Sequence, residues 1–511
     1  MGFASYFNRD IIALNKRLSS NSDNQIRSIL SNHLICIEFD EQITKSREAN
    51  ICIELLIRIL CRFYPVITLR SSINEASKYI SKLQKLAKSV NSNIEFNDTK
   101  KPTLIISAIS KSSSQKEIPH IFLGSDGWVA KLSQSQTLTF GDTSNPFGAG
   151  MAACIAASNV LRFVFKEQLK QPLDEEVKFS VYDFSRTTDP NISIDEIVLN
   201  DVTLVGIGAI GSSTVWTLSK LRKLRGNINL IDHDHVEESN LQRYILLVEK
   251  DKKKWKVDIA KKALRQSNLS INPIKNDWAK FVKEFYKEKC SSRIVAVCVD
   301  STEDRVRIQS SLPNKILNAY TDGSRFGISR HPNFNKNVCL ACLYVPNAQQ
   351  RSKLEIIVEE LNMKGHEKLI YQYMGTAKRI DHDFLAIFCH KNQISIDQVK
   401  EYKNKSFGDF YLEMVCGYKM LEFQEKGQRA EHVDVPLSFQ SCMAGLMLAA
   451  EIVLESLGVN RENLKDVSQW NVLDKLNEDN PSHYSYIKNV SKQCICGDQD
   501  YKEVYELKWG E

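Results

Sequence analysis

Three groups of residues in this chain have types and spacings suited to chemistry. The first is Gly206-Ile207-Gly208-Ala209-Ile210-Gly211, which ends the apolar run VTLVGIGAIG and leads into SSTVWTLSKLRKL. Glycines at this spacing allow a tight strand-to-helix turn and close approach of a phosphate to the helix N-terminus. Asp232 ends the next strand-like run, 21 residues after Gly211, where a carboxylate can bind a ribose hydroxyl. That much fits a dinucleotide or ATP equally.

The second group separates those two. Asp232 and Asp234 open a segment that continues through Ser239-Asn240-Leu241-Gln242-Arg243, and Lys256 follows thirteen residues later. Asp300 stands at the end of RIVAVCVDS, with Arg305 just beyond it. A redox enzyme does not need this set. At one edge of a sheet, Asn240, Arg243 and Lys256 would set an amide and two cations around a polyphosphate, and Asp300 could hold Mg²⁺ through oxygen. This is equipment for attack at the α-phosphate of ATP. Asp234 and Arg305 also admit a plainer reading, as supports for the strand ends.

The third group is sulfur. Cys339-Leu-Ala-Cys342 and Cys494-Ile-Cys496 supply four thiolates, the number a closed structural zinc site takes. The chain has 13 cysteines, an odd and scattered count that argues against a disulfide framework and for reduced thiols. Cys389, Cys416 and Cys442 remain as candidates for thiol chemistry.

The elements that must position these groups read as α/β. Strand-like runs at 34–39, 65–69 and 103–109 alternate with helical ones at 49–64 and 73–89. Short strands at 121–123 and 128–132 follow, then an apolar helix after Pro146 and a proline-bearing linker at 166–176. From 200 onward the strand, glycine turn and helix, INLID, a basic helix from 253 to 267, RIVAVCVDS and KILNAYTDG describe a doubly wound parallel sheet. Residues 354–433 are charged and helical in texture, and VPLSFQSCMAGLMLAAEIVLESL returns to a long apolar helix. That helix echoes NPFGAGMAACIAASNVLRFVF, which suggests two related units in tandem, the first without a glycine loop. The expected domains are therefore 1–178, 179–350 continued in 435–511, and an insertion at 351–434.

The bulk properties set outer limits. At about 150 residues per domain, 511 residues call for roughly three domains, and 42% hydrophobic with 25% charged residues describes a globular chain. A net charge of +6 does not require a nucleic-acid partner. The N-terminus carries Arg9, Asp10 and Lys16 among its apolar residues, so no signal peptide is expected. The apolar stretches broken by Glu54, Arg58 and Arg62, and by Glu451, are expected to be too short for a bilayer. A cytoplasmic protein is the resulting expectation.

The combination of Gly206/Gly208/Gly211, Asp232/Asp234, Ser239 to Arg243, Lys256 and Asp300 with Arg305 resembles the ThiF/MoeB superfamily, to which the ubiquitin-activating enzymes belong. The match covers roughly 200–345 and 435–457. The resemblance implies two tandem Rossmann-like lobes of ThiF type, the first degenerate, plus an inserted helical cysteine segment. It assigns ribose to Asp232, phosphates to Asn240, Arg243 and Lys256, and magnesium to Asp300. The reaction implied is ATP-dependent adenylation of the C-terminal glycine of a ubiquitin-like protein, followed by thioester formation and transfer to a conjugating-type enzyme. Members usually work in pairs, in which an N-terminal arginine of one unit reaches the ATP of the other. Arg9 in SYFNRDII resembles that element, with Arg186 in YDFSR as the second candidate. A pseudo-dimer in cis is expected, with a homodimer possible.

For the thioester, Cys416-Gly417 resembles a Cys-Gly element of bacterial members, with Cys389 and Cys442 as alternatives. Animal relatives carry the cysteine nearer the last apolar helix, where this chain has Ala430-Glu431-His432-Val433. The fused lobes are similar to activating enzymes of bacterial ubiquitin-like conjugation operons, which implies antiviral defence. An adenylyltransferase for a sulfur carrier or in tRNA modification, without a thioester, would share every nucleotide residue. An NAD-dependent oxidoreductase would use only the glycine loop, and a scaffold would turn over no ATP.

Overall fold

The computed structural model describes residues 2–510 apart from 16, 19–21, 72–75, 111–116, 187–189, 191, 286–291, 345–352, 375–377, 412–413, 415–434, 462–463, 477–480 and 489–493. The chain divides into two compact units, 1–345 with 436–511, and 346–435.

The larger unit holds two lobes. The first begins with α1 (Asn8–Asn15) and α2 (Asp23–Asn32), then β1 (Ile35–Phe39), α3 (Gln42–Lys45), α4 (Arg47–Phe63), β2 (Val66–Ser71), α5 (Ala76–Val90) and β3 (Glu95–Phe96). β4 (Leu104–Ala108), β5 (His120–Asp126), β6 (Val129–Ser133), α6 (Phe147–Val164), α7 (Lys166–Leu169) and β7 (Glu176–Ser180) complete it. The second runs β8 (Ile197–Val205), α8 (Ala209–Leu218), β9 (Leu224–Ile231), α9 (Lys256–Leu264), β10 (Asn268–Ile274), α10 (Trp278–Phe285) and β11 (Ile294–Val297). It continues with α11 (Thr302–Ser310), β12 (Lys315–Asp322) and β13 (Arg325–His331). The smaller unit follows with α12 (Lys353–Glu360), α13 (Glu367–Met374), α14 (His382–Asn392) and α15 (Phe407–Tyr411). The chain then returns through α16 (Ser438–Ser456), β14 (Val467–Asn471), β15 (Ser482–Tyr484) and α17 (Gln499–Trp509).

The two sheets share one topology over seven strands, and the second carries an eighth. The first runs β3-β2-β1-β4-β5-β6-β7 and the second β10-β9-β8-β11-β12-β13-β14-β15. In each, the first five strands are parallel and the rest antiparallel. Both lobes are Rossmann-like, and α4 and α8 occupy equivalent places after the central strands β1 and β8.

The core runs through both lobes. α6 and α16 lie on each other so closely that a Cβ at Gly150 would sit 2.7 Å from a Leu446 methyl. α16 also meets α8, where a Cβ at Gly445 would sit 2.5 Å from that of Ser213. By length and composition α6 and α16 could cross a membrane, contrary to the expectation that no apolar stretch is long enough. Within the protein 94% of each apolar window is buried.

The expected linker at 166–176 is instead structured. Asp174 is buried, bonded to Arg162 and to Asn159 at 2.9 Å, and accepts from the Leu476 backbone at 2.8 Å. A buried carboxylate with these partners cannot be released without leaving Arg162 unpaired in the core, which fixes the segment. β7 then joins the first sheet, so the expected boundary at 178 falls inside a strand.

The smaller unit packs its helices around an apolar cluster that includes Ile357, Leu361, Phe384, Phe388 and Phe410. Phe384 meets Phe410 edge to face at 5.3 Å, a favoured arrangement of aromatic quadrupoles.

Candidate nucleotide site

The glycine turn leaves β8 and enters α8. Gly206 has φ of +90°, and a Cβ there would stand 2.9 Å from the Cys298 carbonyl oxygen. A Cβ at Gly211 would stand 2.0 Å from the Gly206 carbonyl, so the first turn of α8 closes on the loop only with glycine. Gly208 is the N-cap residue of α8 and offers no side-chain cap, which leaves that helix end open to an anion.

Asp232 follows β9 and grips the turn. Its carboxylate accepts from the Ile207 backbone at 2.6 Å and the Asp234 backbone at 2.8 Å. Asp234 in turn accepts from Lys256 Nζ at 2.7 Å, at the start of α9, where the lysine is almost wholly buried. Burial raises the Asp232 carboxyl above its ordinary range. Burial would raise Asp234 too, but the Lys256 ammonium outweighs it and holds that carboxyl low. Burial alone would lower Lys256; Tyr244, Asp232 and Asp234 together hold it above its usual value. The lysine therefore stays cationic beside the glycine turn.

Asn240 is buried in the short 3-10 turn Glu238–Gln242 and accepts from the Glu237 backbone at 3.0 Å. Arg243 follows. Its guanidinium lies 5.4 Å from the Tyr244 ring, and Lys256 Nζ lies 5.5 Å from the same ring. A Cβ at Gly208 would be 3.6 Å from the Tyr244 hydroxyl. Tyr244 thus joins both cations to the turn. Arg243 Nη1 is buried without a hydrogen-bond partner among the described residues, as expected of a donor shaped for an anionic ligand.

The N-terminal helix reaches the same place. Asp10 on α1 is buried and accepts from Gln242 Nε2 at 2.9 Å. Burial raises its carboxyl well above the usual range, against the opposing pull of Gln242, Arg62, Arg243 and Arg9. Arg9 and Arg243 therefore both act on one carboxylate. Arg186 is exposed, next to undescribed residues.

Asp300 is exposed three residues past β11, and two past Cys298, whose carbonyl would block a Cβ at Gly206. Its position at the sheet edge suits a carboxylate offering oxygen to magnesium. Arg305 is buried and donates to the Asn318 side chain at 3.2 Å and the Asp300 carbonyl at 3.4 Å, so it supports the strand ends.

The first lobe has no such opening. Its chain passes from β1 to α4 through α3, with no glycine between 40 and 46. In the first turn of α4, buried Glu48 accepts from the Ser125 hydroxyl, the Gly127 backbone and the Thr143 hydroxyl at 2.5, 3.1 and 2.7 Å.

Cys339, Cys342, Cys494 and Cys496 converge, with all four sulfurs within 4.8 Å of one another. Neighbouring pairs lie 3.4–3.5 Å apart. A tetrahedron with Zn–S of 2.3 Å has edges of about 3.8 Å, so small outward shifts would seat zinc. Phe334, Leu312 and Tyr505 pack around the cluster.

The thioester candidates separate. Cys416 lies outside the described residues. Cys389 is in the core of the smaller unit, 6% exposed, and burial pushes its thiol up, away from the thiolate a nucleophile needs. Cys442 is fully buried in α16, beside Cys154 of α6. Neither is placed to attack an acyl group in this conformation.

Asp10, Arg62 and Gln242 had no role legible in the sequence: the first two stood out only as polar residues inside apolar segments, and Gln242 only as a member of the Ser239–Arg243 run.

Among known proteins, the ThiF family profile matches residues 193–494. The profile of prokaryotic E2 family C matches 38–166, from within β1 to the start of α7. Uncharacterized protein y4jF of Sinorhizobium fredii (strain NBRC 101917 / NGR234) is 30% identical over 513 residues, covering 100% of this chain and 98% of that protein. A crystal structure of E. coli MccB with MccA-N7isoASN is similar over 40% of this chain and 58% of that chain, at 20% identity and a TM-score of 0.26.

Proposed function

The chain belongs to the ThiF family, and on that premise we propose that it activates the C-terminal carboxylate of a ubiquitin-like protein with ATP. A carboxylate oxygen attacks the α-phosphorus, the bond from that phosphorus to the α–β bridging oxygen breaks, and pyrophosphate leaves. A cysteine thiolate, with Cys416 as the candidate, attacks the acyl carbon of the adenylate, and AMP leaves with the electrons of the carbon–oxygen bond.

The observation that carries the reading is the run from the glycine turn through Asp232 and Asp234 to Lys256, beside the unpartnered Arg243 Nη1. The α8 N-terminus, Arg243 and Lys256 would neutralise the phosphates, with Asn240 beside them and Asp232 toward the ribose. Arg9 would add charge from the first lobe. Asp300 would hold magnesium, which supplies further neutralisation of the phosphates. The four clustered cysteines would hold zinc as a structural tie.

The first lobe serves as a partner that binds no nucleotide, a reading supported by α3 and Glu48 in place of a glycine turn. Although 38–166 matches an E2 profile, its three cysteines, Cys52, Cys61 and Cys154, are all buried. Burial pushes Cys61 up to about 11 and the other two higher. A separate conjugating-type enzyme, rather than a thiol of this lobe, therefore takes the thioester. Bacterial antiviral defence in the cytoplasm is the proposed setting.

The test is a non-reducing gel with Mg-ATP and a ubiquitin-like protein ending in glycine. A thiol-sensitive shift, lost in Asp300→Ala, supports activation and capture. Accumulation of AMP and pyrophosphate without a shift favours the sulfur-carrier reading.

A further inference from the structure

One face of α4 is polar along its length and turned toward the second lobe. Arg47 donates to the Lys220 carbonyl, Glu54 accepts from Lys220 Nζ at 2.7 Å, and Arg58 donates to the Ile245 carbonyl at 3.2 Å. Arg62 ends the series, 1% exposed. Its Nε donates to the Leu241 carbonyl at 2.9 Å. Its Nη2 lies 2.9 Å from the Tyr244 carbonyl, 2.7 Å from that of Leu247 and 3.4 Å from that of Ile245, and Nη1 donates to Arg58. Four carbonyls within seven residues of the second lobe thus face one side chain of the first.

Those carbonyls bracket Arg243. Leu241 lies two residues before it and Tyr244 one after, and the 3-10 turn bearing Asn240 is held from the same side. A planar guanidinium donates in several fixed directions at once, so it sets the curvature of the segment as well as attracting it. The Arg243 main chain is therefore held on both sides, and its guanidinium lies 5.4 Å from the Tyr244 ring.

We infer that Arg62 is a positioning residue of the first lobe, which aims Asn240 and Arg243 of the second at the phosphates of ATP. The inference rests on the adenylation reading. It gives the nucleotide-free lobe a part in phosphate binding through the shape of one segment.

The test compares Mg-ATP with adenosine on the full chain, wild type and Arg62→Lys, by calorimetry and competition. Lysine keeps the charge and loses the planar fork. The expected result is a roughly 10- to 100-fold loss of ATP affinity, with adenosine affinity within about twofold, and faster amide exchange confined to 240–247. Equal losses for both ligands, or none for either, overturn the inference. If Arg62→Lys does not fold, the same comparison on Arg58→Lys, which loosens the segment at one carbonyl, decides: identical affinities to wild type overturn it. A wild type that binds no ATP sinks the adenylation reading and this inference with it. A wild type that binds ATP beside an unchanged Arg62→Lys sinks this inference alone.

Discussion

Arg62 of the first lobe donates its Nε to the Leu241 carbonyl of the second at 2.9 Å, and the two residues are 179 apart in sequence. The lobes are therefore joined at the segment carrying the phosphate-binding candidates, as well as through their apolar helices.

Gly211→Ala should abolish ATP binding while the rest of the chain folds. The added methyl would stand 2.0 Å from the Gly206 carbonyl, so the glycine turn must open. Calorimetry with Mg-ATP reads the loss, and retained affinity would show that the turn does not hold phosphate.

Lys256→Met should lower ATP–pyrophosphate exchange by about 100- to 1000-fold, the scale seen when one aimed electrostatic group is lost. Asp234 loses its ion pair in the same step. Exchange within a few-fold of wild type would confine Lys256 to supporting Asp234.

Acid should weaken the contact between the lobes. Burial would raise the Glu54 carboxyl, but Lys220 and Arg58 outweigh it and hold it at about 2. An unfolded glutamate titrates near 4.3. The folded value is the lower one, so this stabilisation is fully present above about pH 4.3 and is lost as pH falls toward 2. Glu54→Gln should be less stable than wild type at pH 7 and lose less between pH 5 and 3 in thermal melts. Parallel pH profiles for the two proteins would refute this.

The wild type should contain one zinc per chain by atomic emission, and Cys494→Ser should contain none. Loss of a closed thiolate site removes folding free energy, and a melting temperature lower by roughly 5 °C or more is expected. Zinc retained by the variant would rule out the cluster as its site.

Cys416→Ala should abolish the thiol-sensitive band while AMP formation continues. Cys389→Ala should keep the band and melt somewhat lower, because it removes a sulfur from the core around Phe388. The reverse pattern would assign the thioester to Cys389.

The chemistry-bearing residues were legible where spacing alone sets geometry. Gly206, Gly208 and Gly211 make one local turn, Asp232 ends the next strand, and Lys256 begins the helix after it. The charges of α4 were not legible. Glu54, Arg58 and Arg62 read only as interruptions of an apolar run, because their partners lie on the second lobe and local periodicity cannot name them. The same holds for Asp10, whose partner Gln242 is 232 residues away. The 166–176 segment looked like a linker because its proline and charges signal turns, and the burial of Asp174 depends on Arg162 and on the return of the chain at Leu476. Cys389 looked available because the smaller unit's described core draws on several short helices and the turns between them, each unremarkable alone.

The second sheet is completed from far along the chain: β13 pairs with β14, and α16 covers both α6 and α8. During synthesis the first lobe leaves the ribosome with the apolar side of α6 uncovered, and the glycine turn emerges long before α16 can pack behind it. Both wait for residues beyond 435, which are made only after all of 346–435. A stalled or truncated product ending there would expose two long apolar surfaces, so such fragments should aggregate or be degraded rather than persist as partly active enzyme.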